Sequence, residues 1–226
     1  MKPSNPEHQR GPSSGGSPSD TAFDRRERLK VVYRQALACV RCPLSQTRNK
    51  VVFGAGNANA DLMFVGEAPG ASEDKVGLPF VGAAGKLLDE LLGGIGMVRS
   101  DVFIANVLKC RPPGNRDPRP DEIRSCESYL HSQVALIQPK VICTLGNFST
   151  KLLRGDPTGI SRLHGRAERL ELGSWAVTLF PIHHPAAALY TPSLRQTLAA
   201  DFSALAGLLA APASDQPAGG DSPFAI

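Results

Sequence analysis

Four continuous apolar segments, at residues 61–66, 102–108, 140–145 and 175–182, constrain the fold of this chain more than any other feature of its sequence. Apolar runs of this length without alternation are typical of strands that are buried on both faces of a sheet. Segments with helical periodicity lie between and after them, at residues 83–92, 120–137, 147–153 and 193–209. This order predicts an α/β fold, a three-layer α/β/α sandwich around a mostly parallel central sheet of about four strands.

The two ends of the chain have a different composition from the middle. Residues 1–21 and 211–226 are rich in Pro, Gly, Ser and Ala, and such segments bury too little apolar surface to offset their chain entropy. We therefore expect a single domain at residues 22–210 between two disordered tails. Within the domain, residues 23–39 have the pattern of an amphipathic helix, while residues 163–171 are ambiguous and compatible with one arm of a hairpin.

Several classes of protein are excluded by what the sequence lacks. It has no run of eighteen apolar residues and its first residues are polar, so we expect neither a membrane span nor a secretory signal, and a cytoplasmic location. Residues 54–59 lack the third glycine of a dinucleotide fingerprint, and Phe80 stands where a P-loop would begin with glycine. The string Gly11-Pro-Ser-Ser-Gly15 lies in the N-terminal tail, so there is no GxSxG elbow between a strand and a helix, and no HExxH motif is present. The usual anchors of serine hydrolases and zincins are therefore missing.

The formal net charge of +4 is too small to indicate a nucleic-acid-binding protein by itself. The charge is unevenly placed, however, because residues 107–120 contain Lys109, Arg111, Arg116 and Arg119 against the single acid Asp117. A basic segment of this kind is either a solvated face or an edge that contacts phosphates.

Four of the five cysteines form two pairs around this region. Cys39 and Cys42 stand in a C-x2-C at the end of the first helix, and Cys110 and Cys126 flank the basic segment. In a reducing compartment, cysteines outside a buried strand are metal or cluster ligands more often than disulfide partners. Zinc and an iron-sulfur cluster both accept four thiolates, so the residues alone leave this choice open. Cys143 lies inside a predicted strand and is expected to be a buried thiol.

Four further motifs follow one another along the chain: Gly66-Glu-Ala-Pro-Gly70 with Glu73-Asp74, Gly77-Leu-Pro-Phe-Val-Gly82, Asn106 with Lys109-Cys-Arg-Pro-Pro113 and Asn115-Arg116, and His184-Pro-Ala-Ala187. Together they resemble the motifs of the family 4 uracil-DNA glycosylases, the iron-sulfur members of the uracil-DNA glycosylase superfamily. The resemblance covers roughly residues 39–205. It implies an enzyme that flips deoxyuridine out of DNA and hydrolyses its N-glycosidic bond, leaving an abasic site for base excision repair. It also implies a [4Fe-4S] cluster held by Cys39, Cys42, Cys110 and Cys126.

The resemblance assigns roles to individual residues. Phe80 is expected to stack on the flipped uracil, and Asn106 to donate to O4 and accept from N3–H, a pattern that cytosine reverses. His184 is expected to hydrogen-bond O2 and stabilise the departing anion. Glu67 is the carboxylate nearest the expected path of the water, so Glu67 and His184 are the predicted catalytic residues. The other residues predicted to bind the substrate are Gly66, Ala68, Pro69, Glu73 and Asn115.

Two positions depart from relatives in the superfamily. The best-known relatives carry an aspartate where this chain has Ala68, which leaves two mechanisms open: Glu67 as the base, or stabilisation of the leaving group and of the sugar cation. Tyr190 stands where an arginine is expected, with Arg195 near enough to contact a phosphate instead. Residues 186–189 are expected to fill the space that the flipped base vacates.

Two alternative functions remain open at the level of sequence. One is an iron-sulfur DNA-binding module without excision activity, which would not require Glu67, Phe80, Asn106 and His184 together. The other is a relative that becomes covalently trapped on its abasic product, whose basic loop carries a histidine that residues 109–120 lack. The expected partner is uracil-containing DNA, bound by a monomer without a membrane, and the sequence names no partner for the tails.

Overall fold

A computed structural model describes residues 21–172, 175–211 and 219–221 of the chain. Its helices are α1 (Ala22–Leu37), α2 (Ala71–Val76), α3 (Ala83–Gly94), α4 (Pro120–Ile137), α5 (Asn147–Arg154), α6 (Ile160–Leu163), α7 (Pro185–Ala188) and α8 (Pro192–Ala210). Its strands are β1 (Ala55–Gly56), β2 (Leu62–Gly66), β3 (Phe103–Asn106), β4 (Val141–Leu145), β5 (Glu168–Leu172), β6 (Trp175–Ile182) and β7 (Gly219–Asp221). Short 3-10 turns occupy Pro43–Gln46 and Pro113–Asn115.

The strands form one sheet in the order β1-β3-β2-β4-β6-β5-β7. The four central strands β3, β2, β4 and β6 run parallel and correspond to the four predicted apolar segments. The predicted α/β class and mostly parallel centre are therefore confirmed, whereas the number of strands was too low. β1 and β5 pair antiparallel with their neighbours and β7 pairs with β5. β5 and β6 form a hairpin, which resolves the ambiguous segment.

Each face of the sheet carries its own apolar core. Successive residues of β2 alternate between the two: Met63 and Val65 pack with α1 and α4, whereas Leu62 and Phe64 pack with α3 and α8. Side chains of successive strand residues point to opposite faces, so a strand buried on both sides needs apolar residues at every position. The three-layer arrangement explains why the central strands are continuous apolar runs.

The tails fall largely outside the described residues, which exclude residues 1–20, 212–218 and 222–226. Gly219–Asp221 is the exception, because it pairs with Arg169–Glu171 of β5. This pairing uses backbone groups and leaves no apolar pattern in the sequence, and the expected disorder of the two tails stays a prediction. The boundaries of the domain at residues 22 and 210 stay a prediction. Among the described helices, none combines the length and apolar character needed to span a bilayer.

The connections diverge at the carboxyl end of β2. The chain passes from β2 to β3 on one side and then crosses to β4 on the other. In open α/β sheets, the crevice at such a switch point is where ligands bind. Gly66 and Asn106, the last residues of β2 and β3, are paired in register there, and His184 follows the end of β6.

Candidate active site and cysteine pocket

A cavity of about 360 Å³ opens at the carboxyl ends of the central strands. Eight of the nine residues predicted to contact the substrate line it: Glu67, Ala68, Pro69, Glu73, Phe80, Asn106, Asn115 and His184. They come from segments that are up to 117 positions apart in sequence, Glu67 and His184 being the two extremes. The parallel sheet brings them together because its strands end at a common edge.

Gly66, the ninth predicted residue, lies directly beneath the cavity. A Cβ atom at position 66 would collide with Oδ1 of Asn106 and would approach the ring of Phe80 to 3.1 Å. Glycine is therefore the residue that lets these two side chains stand over the end of β2. The structure assigns Gly66 this supporting place rather than a place in the lining.

Asn106 carries an unsatisfied hydrogen-bond acceptor at the floor of the cavity. The residue is buried, and its Oδ1 atom has no hydrogen-bond partner among the described residues. A buried polar atom without a partner costs about 1–3 kcal/mol. A ligand that donates a hydrogen bond to Oδ1 recovers that cost, so Asn106 can recognise a donor group on the polar edge of a ligand.

Phe80 forms a flat wall of the cavity next to His184. Its ring centroid lies 5.6 Å from that of His184, with 25° between the two planes. The segment after Phe80 is held by Glu73, whose Oε1 accepts hydrogen bonds from the backbone N–H groups of Val81 at 2.9 Å and Gly82 at 3.0 Å. Glu73 therefore lines the cavity and also shapes the turn that presents Phe80.

His184 is held in one tautomer by the start of α7. Its Nδ1 accepts a hydrogen bond from the backbone N–H of Ala186 at 3.1 Å, so the proton of a neutral ring resides on Nε2. Burial lowers the pKa of His184 to about 4, and the nearby charge of Glu73 opposes this shift only in part. At neutral pH the ring is therefore uncharged and offers Nε2–H as a donor.

Glu67 and Glu73 are the two carboxyl groups that line the cavity, and Glu67 is the one that follows β2 directly. Burial, together with the smaller effect of the negative charge of Asp117, raises the pKa of Glu67 to about 7. Both protonation states are thus populated near neutral pH. The neighbouring Ala68 packs against the core that contains α4 and adds no carboxylate next to Glu67.

The basic segment is less available to DNA than its charge suggests. Lys109 is buried, and its Nζ donates to the backbone oxygen of Asn106 at 2.7 Å and to Oε1 of Gln133 at 2.6 Å. This contradicts the interpretation of Lys109 as part of a phosphate-contacting edge. Arg116 lines the cavity, a place that sequence reasoning did not assign to it, and forms an ion pair of 2.5 Å with the buried Glu122.

Three further polar residues are fixed by neighbours. Arg111 donates from Nε to Oδ1 of Asn115 at 2.7 Å, which orients the exposed Asn115 at the cavity. Arg195 pairs with Glu90 on the surface. Asp74 is buried and accepts the backbone N–H of Asn49 at 2.9 Å, so its role is to fasten the loop before β1 onto α2.

A second, smaller pocket contains the four predicted ligand cysteines. Cys39, Cys42, Cys110 and Cys126 all line it as free thiols. Arg48 donates from Nη1 to Sγ of Cys110, and the backbone N–H of Lys109 donates to Sγ of Cys126, both at 3.3 Å. Cys143 lies in β4 and packs in the core on the opposite face of the sheet.

The donor set of this pocket fits a thiolate-bound cofactor. Burial raises the pKa of the Cys110 thiol to about 11, so a bound cation or cluster is needed to hold this sulfur as a thiolate. Among the described residues, no three His, Cys, Asp or Glu side chains are arranged to hold a single metal ion. The four thiols therefore share one pocket without defining a mononuclear site.

The chain is similar in sequence to known proteins. The chain matches the model of the Uracil DNA glycosylase superfamily over residues 53–205. It is 46% identical to the type-4 uracil-DNA glycosylase of Archaeoglobus fulgidus over 186 residues, which are 80% of this chain and 94% of that protein. It is also 46% identical to the type-4 uracil-DNA glycosylase of Sulfurisphaera tokodaii over 189 residues, covering 81% of this chain and 86% of that protein. The type-4 uracil-DNA glycosylase of Thermotoga maritima is 44% identical over 144 residues, 63% of this chain and 75% of that protein.

The tautomer of His184 can be tested directly. In side-chain ¹⁵N NMR at pH 7, the ring of His184 should be neutral with its proton on Nε2, because Nδ1 accepts from Ala186. The signals should stay unchanged on acidification to about pH 5, since burial places the pKa near 4. A His184→Asn variant identifies the signals by their loss. A proton on Nδ1, or titration at the ordinary histidine pKa of 6.5, would contradict the assignment.

Proposed function

The chain belongs to the uracil-DNA glycosylase superfamily and removes uracil from DNA, and we propose that it does so in the cavity around Asn106 and His184, beside a [4Fe-4S] cluster held by four cysteines. The observation that carries the assignment of the cavity is the buried, unpaired Oδ1 of Asn106. Asn106 lines a cavity of about 360 Å³, which is large enough for a flipped base.

Asn106 distinguishes uracil from cytosine by the direction of its hydrogen bonds. Uracil donates from N3–H and accepts at O4, so it can pair with Oδ1 and Nδ2 of one fixed amide. Cytosine presents an acceptor at N3 and a donor at N4, which leaves both groups of the amide mismatched. Phe80 supplies a flat apolar face for the base, as base-flipping enzymes require.

His184 stabilises the leaving group. Cleavage of the N1–C1′ bond leaves negative charge on uracil and positive charge on the deoxyribose, as in other glycoside cleavages. The Nε2–H of His184 is the group free to donate to uracil O2, because Nδ1 is occupied by Ala186. A preorganised donor in a cavity with little water interacts most strongly when the negative charge develops.

Glu67 acts on the sugar side of the reaction. As a carboxylate it orients the attacking water and stabilises the cationic sugar, with Ala68 providing no second acid. Its raised pKa keeps an acid and a carboxylate form in exchange near pH 7. The activity therefore depends on the protonation state of this one group.

DNA reaches the cavity across the surface that carries α7. Ala186 lines the cavity, and Leu189 and Tyr190 follow α7 with 40% and 88% of their surface exposed. Apolar and aromatic side chains at this position can fill the space left by a flipped nucleotide. A monomeric state and a cytoplasmic location stay predictions, as does any partner for the tails.

The sequence left open two alternatives to a glycosylase that releases its product: a DNA-binding module without excision activity, and a relative that becomes covalently trapped on its product. The similarity to glycosylases over most of the chain argues against a module without excision activity. For covalent trapping, His184 is the histidine of the described cavity lining, and its Nδ1 already accepts a hydrogen bond. Denaturing gels of the reaction test the second alternative, since a trapped product would migrate as a protein–DNA adduct.

The proposed cluster would connect separate elements of the fold through its cysteine ligands. Cys39 and Cys42 follow α1, Cys110 follows β3, and Cys126 lies within α4. A [4Fe-4S] cluster supplies four iron–thiolate bonds, which here would join α1 and α4 to the loop after the strand that carries Asn106. The N–H groups of Arg48 and Lys109 donate to two of these sulfurs, as is common around such clusters.

Purified protein should be brown, with about four iron and about four sulfide per chain. Replacing Cys126 by Ala should remove the visible absorption and lower the melting temperature, because metal binding and folding are coupled. Cys143→Ala is the control and should keep the full colour, since Cys143 lies in the other core. A colourless protein that contains zinc and is fully active would refute the cluster.

Asn106→Asp should lose discrimination between uracil and cytosine. A carboxylate at this position cannot donate to O4 and repels the developing anion, and loss of one such donor typically costs about 100-fold or more in rate. Single-turnover excision from uracil-containing oligonucleotides measures the loss. Asn57→Asp, an exposed change in the loop after β1, should excise uracil at the parental rate. Parental excision by Asn106→Asp would show that Asn106 does not read the base.

The single-turnover rate should rise with pH through about 7, because the carboxylate form of Glu67 is the active one and its pKa is about 7. His184 contributes no step in this range, since its pKa is about 4. Glu67→Gln should be slow and independent of pH. Asp117→Asn should move the midpoint to lower pH, because the charge of Asp117 raises the pKa of Glu67. A rate that falls through pH 7 would instead assign catalysis to the protonated form.

A further inference from the structure

Phe80 holds an unusual backbone conformation for a residue with a side chain. Its φ angle is 52°, in the left-handed region, which costs a non-glycine residue about 1–3 kcal/mol. The direction of the ring depends on this conformation, because the Cα–Cβ bond turns with the backbone. Some other group must therefore stabilise the turn around Phe80 if its ring is to stay at the wall of the cavity.

Arg99 lies after α3 and does not line the cavity. Its guanidinium group forms hydrogen bonds with the backbone of this turn. Its Nη1 donates to the carbonyl oxygen of Pro79 at 3.1 Å, and its Nη2 donates to that of Phe80. The same Nη2 approaches the carbonyl oxygen of Gly85 at 3.4 Å. Nε donates to Oδ1 of Asp89 at 2.5 Å, which fixes the plane of the guanidinium. The planar group thus holds two consecutive carbonyl groups at once.

The N–H groups that follow Phe80 in this turn are also held by hydrogen bonds. Glu73 accepts the next two N–H groups, of Val81 and Gly82. A Cβ atom on Gly85 would collide with the carbonyl oxygen of Phe80, so α3 begins in direct contact with the turn. The guanidinium of Arg99 therefore binds the carbonyl oxygens of Pro79 and Phe80, and the carboxylate of Glu73 binds the N–H groups of the two residues that follow Phe80.

We propose that Arg99 is a positioning residue for uracil excision, which acts by holding Phe80 in the left-handed conformation that presents its ring to the base. This inference rests on the proposed stacking role of Phe80. Arg99 itself touches neither the substrate nor the reacting atoms.

The exposed ion pair with Asp89 is not what gives Arg99 this role. A surface ion pair contributes about 0–1 kcal/mol, and a second one, Arg195 with Glu90, links α8 to the same helix α3. What distinguishes Arg99 is its bonds to the carbonyls of Pro79 and Phe80. A lysine has a single ammonium and cannot reproduce the planar, two-pronged contact.

The test compares Arg99→Met and Arg99→Lys with the control Lys140→Met, which removes an exposed ion pair with Asp61 at the amino ends of β2 and β4, away from the cavity. We measure the single-turnover rate at saturating uracil-containing DNA, the Kd for DNA and the melting temperature. Arg99→Met should slow excision by about 10- to 100-fold, the loss expected from a misplaced contact group, with little change in Kd. Arg99→Lys should recover only part of the rate. Lys140→Met should excise uracil at the parental rate.

A double-variant cycle with Phe80→Ala separates positioning from a general loss of stability. If Arg99 acts through the ring of Phe80, adding Arg99→Met to Phe80→Ala should change the rate by less than about twofold. An equal loss in both backgrounds, or a parental rate for Arg99→Met while Phe80→Ala is slow, overturns the role of Arg99 and leaves the role of Phe80 standing. A parental rate for Phe80→Ala would instead refute the stacking role itself, and with it the inference.

Discussion

The buried ammonium group of Lys109 joins the two halves of the functional region. Its Nζ donates to the backbone oxygen of Asn106 at 2.7 Å and to Oε1 of Gln133 on α4 at 2.6 Å. Its backbone N–H donates to Sγ of Cys126, and its carbonyl accepts from Val52 at 2.8 Å. A buried charge is tolerated only when it is well hydrogen-bonded, so the end of β3, α4 and the cysteine pocket are held in one arrangement. The base-reading residue and the proposed cluster therefore share a common support.

The central strands could be predicted because the three-layer architecture buries both faces of the sheet, and this favours apolar residues along the whole length of each strand. Each residue of β2 and β4 is buried, so the apolar run is continuous and its ends are clear. β1 and β7 leave no such trace, since they are two and three residues long and contain glycine. The short helices α2, α6 and α7 have no counterpart among the predicted helices, because a helix of four to six residues is too short to show a periodic pattern.

The site was predictable to the extent that its residues carry functional side chains in recognisable motifs. Arg99 was not, because its partners are backbone carbonyl groups whose positions depend on the folded turn. Lys109 was misread for a related reason. A lysine in a basic segment resembles a phosphate ligand, and its burial becomes visible only when Gln133 of α4 lies beside it. Arg116 joins the cavity through the ion pair with Glu122, which likewise depends on how the basic loop folds onto α4.

Burial has opposite consequences for the charges of the two proposed catalytic residues. It lowers the pKa of His184 and raises that of Glu67, since in both cases the neutral form is favoured. For His184 this yields an uncharged donor, which interacts with the uracil anion without having to lose a proton first. For Glu67 it brings the pKa to about 7, close to neutral pH. A second carboxylate at position 68 would repel the charge of Glu67 and raise its pKa further. An alanine there keeps Glu67 able to ionise at neutral pH, and the enzyme retains the negative charge that the cationic sugar requires.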